Sequence, residues 1–461
     1  MKRTPFLTTL LLLLLLTGLA AAALVAAAGQ GGWQTSYAPA KGPVYSSSDI
    51  RVLAGGTGLI VGSVSEAQPT PLSPAIYRTT DGGATWTGGS PIEVYGQLSG
   101  VGFSDEQHAW AVGGDYSKDS QAALLLASSD AGKTWTRQTI TATSALEQVQ
   151  FVSASAGYVT GDDGAVYATT DGGAHWTRTA VGAKDVMFSG LSFVDATHGW
   201  VCGPQGNEDF YGGRCYATAD GGLTWKDVTP DKDIVVTDCS FVSVTEGWVI
   251  GEDSTLFHTT DGGATWGKEK LTMVPGAALR RLDFVDAENG WLIGSCFPDG
   301  YDSWGVVLHT TDGGDTWVQQ DSGVGELSSE VWATDAQHAW VAYQYGIVLR
   351  SSDAGGAAIV PAGSPKTTAL NAVSVRSGAK ASFRFSISDP GVPRAQVRIQ
   401  LLDAKKHVKA SLRVGWRTPG ETVVFAGKVS LKAGRYTWRA ACVDYTGDMQ
   451  ASASVKPLIV K

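Results

Sequence analysis

The sequence predicts an all-β protein, a seven-bladed β-propeller followed by a small β-sandwich. Three observations lead to this prediction. One octet, Thr-Thr-Asp-Gly-Gly-x-Thr-Trp in its commonest form, recurs along the 461 residues, and short apolar runs alternate with turn sequences between its copies. The chain also contains 58 glycines and 16 tryptophans but only 17% charged residues. This composition suits many short strands joined by tight turns and disfavours long helices.

The octet occurs six times in full and once in truncated form. Its copies are TTDGGATW at 79–86, SSDAGKTW at 128–135, TTDGGAHW at 169–176, TADGGLTW at 218–225, TTDGGATW at 259–266, TTDGGDTW at 310–317 and SSDAGG at 351–356. The aspartates, spaced 49, 41, 49, 41, 51 and 41 residues apart, are Asp81, Asp130, Asp171, Asp220, Asp261, Asp312 and Asp353. A repeat of about 40 to 50 residues is typical of a four-stranded propeller blade, so seven copies predict seven blades.

The residue types of the octet are those of a hairpin turn. An aspartate accepts hydrogen bonds from turn amides, glycines adopt positive φ, and the final Trp starts the next strand with a large apolar side chain. Identical turns spread around a ring do not converge on one ligand. We therefore expect the seven aspartates to be structural, and to hold no metal.

A second motif precedes each octet by 20 to 30 residues, for example LSFVDATHGWVCG at 191–203. It predicts a strand, a turn and a second strand, so that each blade takes strands A and B from this motif. Strand C lies just before the octet and strand D begins at its Trp. The truncated octet lacks its Trp, whereas GGWQTSYAPA at 31–40 is similar to a strand D without an octet. We expect this segment to complete the last blade, so that the propeller spans 31–360 without an open edge.

These repeats resemble the Asp-box, or BNR, repeat of bacterial and eukaryotic propellers. The combination of FVD, GW and TTDGG-x-TW most resembles the photosystem II assembly/stability factor-like family, over about residues 31–360. The resemblance implies the propeller fold and leaves the function open, because Asp-box propellers include sialidases, xyloglucan hydrolases and sorting receptors. It does not imply a photosynthetic role.

The C-terminal residues 370–461 alternate apolar and polar side chains between Gly and Pro turns, as a half-buried sandwich does. LKAGRYTWRAACVDYTGD at 431–448 resembles the last hairpin of bacterial immunoglobulin-like domains, which implies an immunoglobulin-like sandwich. PAGSPKTTA at 361–369 has the composition of a linker. Residues 365–461 contain 17 Lys and Arg against 5 Asp and Glu, a net charge of +12, while residues 1–364 contain 18 against 39, a net charge of −21.

The first 28 residues indicate export. Lys2 and Arg3 precede an apolar run from Phe6 to Ala28, as in a signal peptide. The run is also long enough to be an uncleaved N-terminal membrane anchor, which needs about 20 apolar residues. Either alternative places the rest of the chain outside the cytoplasm, secreted or at the cell surface.

An exported chain with five cysteines favours disulfides. Cys202 and Cys215 flank one insertion and form the candidate pair. The pairing of Cys239, Cys296 and Cys442 stays open, since each is equally explained as a small buried side chain.

Insertions between strands B and C predict the ligand-binding face. Antiparallel strands place the octets on the rim of the A–B turns and the B–C loops on the opposite rim. The insertions are VSEAQPTPLSP, GDYSKDSQA, GPQGNEDFYGGR and SCFPDGYDSWG. Their carboxylates and aromatic rings, suited to sugar rings or basic peptides, make these candidates: Asp115, Tyr116, Asp119, Glu208, Asp209, Phe210, Tyr211, Asp299, Tyr301, Asp302 and Trp304.

We therefore expect an exported, non-catalytic scaffold that binds a protein or carbohydrate ligand, without cofactor, as a monomer. The alternative is a sialidase- or xyloglucanase-like glycoside hydrolase in the axial cleft. No catalytic residue is assigned, because the GxSxG, P-loop and HExxH signatures and a sialidase arginine cluster are missing from the sequence. The basic sandwich is expected to dock on the acidic propeller or to tether the chain to anionic cell wall or membrane. No nucleic-acid partner is expected.

Overall fold

The computed structural model describes most of the chain in two compact units. The described residues are 32–37, 44–64, 73–92, 94–117, 122–142, 144–162, 164–182, 184–207, 210–271, 277–296, 304–324, 327–356, 366–388, 395–444 and 454–461. The predicted signal peptide or anchor at 1–28 lies outside them. In the part described, no helix is both long and apolar enough to cross a membrane.

Among the described residues, seven four-stranded sheets correspond to the seven repeats, and each is called a blade here. The N-terminal strand is β1 Trp33–Tyr37. Blade 1 contains β2 Val44–Val52, β3 Gly58–Val64, β4 Ser73–Thr79 and β5 Thr87–Pro91, and blade 2 contains β6 Gly96–Phe103, β7 Ala109–Asp115, β8 Ala122–Ser128 and β9 Thr136–Arg137. Blade 3 contains β10 Leu146–Phe151, β11 Gly157–Gly161, β12 Ala165–Thr169 and β13 Thr177–Ala180, and blade 4 contains β14 Gly190–Phe193, β15 Gly199–Asn207, β16 Phe210–Thr218 and β17 Lys226–Asp227. Blade 5 contains β18 Val236–Phe241, β19 Gly247–Gly251, β20 Thr255–Thr259 and β21 Gly267–Lys270, and blade 6 contains β22 Ala277–Phe284, β23 Gly290–Cys296, β24 Trp304–Thr310 and β25 Val318–Gln319. Blade 7 contains β26 Ser328–Ala333, β27 Ala339–Tyr343 and β28 Val348–Ser351, with a 3-10 turn at Gln344–Gly346.

The N-terminal strand completes the last blade. The order of this sheet is β1-β28-β27-β26, and Trp33 of β1 is the register partner of Ser351. Trp33 is fully buried, and its indole N–H donates to Gln320 Oε1 at 3.0 Å. Blade 7 in turn meets blade 1, because Trp332 Nε1 donates to the carbonyl of Val52 at 2.8 Å. Strands from the two ends of the repeat array thus close the ring, as the sequence predicts.

The octet folds as a turn organised by its aspartate. In blade 5, Asp261 accepts hydrogen bonds from Thr259 Oγ1 at 2.8 Å and from the amide and hydroxyl of Thr265 at 2.8 and 2.6 Å. These donors hold the pKa of Asp261 down at about 2. Gly262 and Gly263 adopt φ of +72° and +91°, which a side chain would strain. The aspartate uses its oxygens within its own turn, in keeping with a structural role.

Aromatic stacking between blades explains the Phe and Trp of the second motif. Trp200 of β15 lies parallel to Phe241, at the end of β18 in the next blade, with ring centroids 3.7 Å apart. Trp266, from the octet of that blade, packs edge-on against Phe241 at 6.2 Å. Trp248 and Phe284 repeat the parallel stack at 3.7 Å between the next two blades. The regular spacing of the two motifs within each repeat therefore builds the core between neighbouring blades.

The B–C insertion of blade 4 is an extension of its hairpin. β15 and β16 stay in register from Gly199↔Thr218 out to Asn207↔Phe210. The sequence pattern predicts a loop there, but strand pairing continues through the glycines of the insertion. Cys202 and Cys215, the candidate disulfide pair, face each other across these strands, fully buried, and both are free thiols in this structure. Backbone hydrogen bonds already hold this hairpin closed.

We expect dithiothreitol to leave the melting temperature of the protein unchanged, because no Cys202–Cys215 bond is there to reduce. Burial raises the pKa of both thiols well above the usual value, so native-state alkylation should be slow. After unfolding without reductant, iodoacetamide should label both cysteines, with Cys202→Ser as the control for peptide assignment. A disulfide-linked pair of peptides in mass spectrometry would contradict this.

The second unit is a two-sheet sandwich. Its strands are β29 Lys366–Ala369, β30 Val373–Val375, β31 Lys380–Ser388, β32 Ala395–Leu402, β33 Val408–Arg417, β34 Thr422–Lys428, β35 Gly434–Asp444 and β36 Lys456–Val460. They form sheets of order β29-β31-β34 and β30-β36-β35-β32-β33 around a core that includes Phe383, Ile399 and Trp438. β29 lies inside the predicted linker 361–369, because its buried Thr367 and Ala369 belong to the sandwich.

Candidate functional site

A cavity of about 340 Å³ lies on the axis of the ring. Strand A, the first strand of each blade, contributes to its wall in all seven blades, namely β2, β6, β10, β14, β18, β22 and β26. The lining combines apolar rings such as Phe241 and Trp332 with the charged side chains of Arg51, Arg281 and Asp283. Convergent charges beside apolar walls are features of ligand sites.

Equivalent positions of the seven strands A can be compared directly, because each is set by its pairing with strand B. The residue before the strand's last position is, from blade 1 to blade 7, Arg51, Gly102, Gln150, Ser192, Ser240, Asp283 and Trp332. The residue two places earlier is Asp49, Gly100, Gln148, Gly190, Asp238, Arg281 and Glu330. We call these fourteen residues the axial positions. Charge at these positions is confined to blades 1, 5, 6 and 7.

Axial side chains tie each blade to the next. Strand A is the inner edge of its sheet, so part of its backbone N–H groups lack a strand partner and need another acceptor. The bonds described are Val101 N to Asp49 Oδ2 (2.8 Å), Phe193 N to Gln150 Oε1 (2.7 Å), Phe241 N to Ser192 Oγ (2.9 Å), Leu282 N to Asp238 Oδ2 (3.1 Å), Phe284 N to Ser240 Oγ (3.1 Å) and Ala333 N to Asp283 Oδ2 (2.7 Å). Carboxylates, amides and hydroxyls thus perform the same task in different blades.

Two arginines neutralise part of the axial charge. Arg51 forms an ion pair with Asp49, and its guanidinium lies over the Trp332 ring, 4.6 Å from the centroid. Arg281 Nε lies 3.2 Å from Glu330 Oε2. Both guanidinium side chains keep 21 to 25% of their surface exposed, whereas the carboxylates they pair with are almost fully buried.

Burial makes Asp49, Asp238 and Asp283 unusually weak acids. Desolvation raises the pKa of Asp49, Asp238 and Asp283 to about 7, against the lowering effect of Arg51 on Asp49 and Arg281 on Asp238. Glu147, beside the axial positions in β10, has its pKa raised to about 8 by burial and by the neighbouring Asp162 carboxyl. The cavity therefore changes its charge across neutral pH.

Of the candidates predicted on the B–C loops, the structure describes the side chains of Asp115, Tyr116 and Trp304. Asp115 is 7% exposed and is held by Arg137 at 2.7 Å. Tyr116 is half-buried and packs edge-on against Tyr95 at 6.1 Å. Trp304 is fully buried as the first residue of β24, so it belongs to the core and not to a surface cleft. The remaining candidates fall outside the described residues or have undescribed side chains: Asp119, Glu208, Asp209, Phe210, Tyr211, Asp299, Tyr301 and Asp302.

Sequence reasoning missed the axial positions because it treated strands A only as apolar runs. An alignment of the repeats would have identified these positions: Asp283 is equivalent to Ser240 of blade 5, and Asp238 is equivalent to Gly190 of blade 4. A charge at a position that is small and neutral in sister repeats indicates a demand beyond the fold. Within the described residues no group of three or more His, Cys, Asp or Glu is arranged to hold a metal ion.

Known proteins similar to this chain match its propeller. The family model described as Photosynthesis system II assembly factor YCF48 matches residues 127–206, 174–278 and 217–361. The solved structure "YCF48 bound to D1 peptide" is 18% identical, with 69% of this chain and 95% of that chain covered and a TM-score of 0.53. YCF48 from Cyanidioschyzon merolae is 17% identical, with 69% and 98% covered and a TM-score of 0.52. At these identities the two structures show the fold alone.

No curated protein sequence matches the chain significantly. The family model nevertheless covers more than half of it, in overlapping copies that follow the repeats. The chain therefore belongs to the photosynthesis system II assembly factor YCF48 family.

Proposed function

We propose that this chain is an exported, non-catalytic scaffold that binds a segment of a partner protein in the axial cavity. The observation that carries the proposal is the cavity itself, where side chains from all seven blades surround about 340 Å³ with charged and aromatic groups. Family membership supports a binding role, and one solved relative is described as bound to a peptide. Export rests on the N-terminal sequence alone.

Glycoside hydrolysis is the less favoured alternative. A hydrolase needs one carboxyl free to donate a proton and a second one free to act as base or nucleophile. Both oxygens of Asp238 accept backbone N–H bonds, at 2.9 and 3.1 Å, and both oxygens of Asp49 do so at 2.8 Å. Glu330 is engaged by Val331 N and Arg281. These three carboxyls are used to join strands, which leaves Asp283 without a catalytic partner among them.

The proposal is tested by filling the cavity. Gln148 lines it and is half-buried, so Gln148→Trp introduces a large ring there without removing a bond between blades. We expect peptides selected from a displayed random library on the wild-type protein to lose at least tenfold in affinity for this variant. Gln107→Trp, which places the same ring on an exposed turn, is the matched control. Equal binding by all three proteins would place the ligand elsewhere.

Hydrolase activity has a separate test. We expect no turnover of aryl glycosides or plant polysaccharides above the buffer rate. If turnover does occur and Asp283→Asn abolishes it, the chain is an enzyme and the scaffold proposal fails.

A further inference from the structure

We propose that the axial cavity selects a basic segment, whose lysine or arginine side chain pairs with Asp238 and Asp283. This inference rests on the proposed function and adds to it the chemistry of the partner. Three observations carry it: carboxylates without an ion pair, a charge that the fold does not need, and buried hydroxyl donors without an acceptor among the described residues.

Two of the axial carboxylates form no ion pair within the described residues. Arg51 pairs with Asp49, and Arg281 with Glu330, which accounts for both arginines. Asp238 and Asp283, by contrast, form no ion pair within 4 Å in the described part of the chain, and Asp238 is only 9% exposed. Burying a carboxylate without a counter-charge is costly, so a cation supplied by a ligand would be strongly stabilised there.

The negative charge of these residues is not required for joining the blades. Ser192 and Ser240 accept the same type of backbone N–H bond at 2.9 and 3.1 Å, and Gln150 does so at 2.7 Å. A neutral acceptor therefore suffices at the position of Asp283. At the position of Asp238, blades 2 and 4 have Gly100 and Gly190, which offer no side-chain acceptor at all. Aspartate at 238 and 283 brings a desolvation penalty that serine avoids, which binding of a cation would offset.

The same cavity contains hydroxyl donors. Ser192 and Ser240 line it, and are 8% and 7% exposed. Each hydroxyl oxygen accepts a backbone N–H, but neither hydroxyl donates to an acceptor among the described residues. Buried donors normally have partners. A peptide segment meets both needs, because its carbonyl oxygens accept from the serines while its basic side chain reaches the carboxylates.

Binding of a cation should be linked to proton release. The pKa of Asp238 and Asp283, raised to about 7 by burial, is also set by charges on the facing strands: Arg281 and Glu330 act on Asp238, and Arg51, Glu330 and Asp238 act on Asp283. A bound lysine favours the ionised carboxylates. Its affinity should therefore rise from pH 6 to pH 8, with protons released to the buffer on binding.

The test uses two blocked pentapeptides, acetyl-Gly-Ser-Lys-Ser-Gly-amide and its norleucine analogue, titrated calorimetrically into the full chain in two buffers of different ionisation enthalpy. We expect the lysine peptide to bind at least tenfold more tightly than the norleucine peptide, and more tightly at pH 8 than at pH 6. Asp238→Asn combined with Asp283→Asn should remove that preference, about tenfold per lost charged contact. Glu288→Gln, which removes an exposed charge from the same blade as Asp283, should retain it.

Asp283→Ser, which introduces the residue that blades 4 and 5 carry at the equivalent positions Ser192 and Ser240, provides a second variant if the asparagine pair does not fold. A lysine preference that survives in the folded variants, or equal binding of the two peptides, would overturn the basic-segment inference while leaving a protein-binding cavity in place. Binding of neither peptide would overturn it as well. The proposed function fails separately, through the Gln148→Trp comparison.

Discussion

Replacing Trp33 by alanine should destabilise the whole ring by about 3–5 kcal/mol, the usual range for removing a buried large aromatic side chain. Trp33 is fully buried among residues of blades 6 and 7, including Trp291, Val307 and Leu349. Gln320 is only 1% exposed, and the loss of Trp33 leaves its Oε1 without the indole N–H donor. Because β1 closes the last blade, the damage should reach the complete propeller rather than one terminus.

The measurement is the free energy of unfolding from urea titration, followed by tryptophan fluorescence and circular dichroism. Gln34→Ala is the matched control, since Gln34 is the exposed neighbour on the same strand and should change stability by less than about 0.5 kcal/mol. Removing residues 31–40 should act at least as strongly as Trp33→Ala. An unchanged unfolding midpoint in either altered protein would mean that β1 does not close the ring.

The stability of the ring should fall as the pH rises from about 5 to 8. Burial raises the pKa of Asp49, Asp238 and Asp283 to about 7 and that of Glu147 to about 8 in the folded state. In the unfolded chain such carboxyls ionise near pH 4. Between these values the folded protein holds more protons than the unfolded chain, so the free energy of unfolding decreases with pH. Each carboxyl contributes at most about 1.4 kcal/mol per pH unit.

The octet aspartates act in the opposite direction at lower pH. Hydrogen bonds from their turns lower the pKa of Asp81 and its equivalents in four further blades to about 2. Their stabilising contribution is present above pH 4 and is lost as the pH falls toward 2. Together the two groups of carboxyls predict a maximum of stability near pH 4 to 5.

Thermal melts at half-unit intervals from pH 3 to pH 8.5 measure this dependence. Asp238→Asn combined with Asp283→Asn should flatten the decline above pH 5, and Glu288→Gln should leave its slope unchanged. A melting temperature that rises or stays constant between pH 5 and pH 7 would show that the axial carboxyls are already ionised in the folded state.

Repetition made the propeller predictable from the sequence. Seven octets at spacings of 41 to 51 residues, most of them with an upstream Phe, Trp or both, specify one four-stranded unit per repeat. The missing Trp of the seventh copy was enough to assign Trp33 to the last blade, and the pairing of β1 with β28 confirms it. The resemblance to the photosystem II assembly factor family is likewise confirmed by the family match.

The proposed binding region was less predictable. Insertions and surface composition drew attention to the B–C loops, yet Trp304 is a core residue and the insertion of blade 4 continues its hairpin. The proximity of Cys202 and Cys215, by contrast, was predictable, because they flank this insertion; they lie opposite each other in the hairpin as free thiols.

The sequence by itself determined which residues form strands and turns, because these depend on contacts within one repeat or between adjacent repeats. It also determined how the ring is closed, because the seventh octet lacks the Trp that Trp33 supplies. Only the tertiary structure decided where the charges of different blades meet. Asp49, Asp238, Arg281, Asp283 and Glu330 come from four blades, up to 281 residues apart in the chain, and reach the same axis through ring closure. Their burial and mutual distances, and therefore their pKa values and the character of the cavity, are properties of the closed ring.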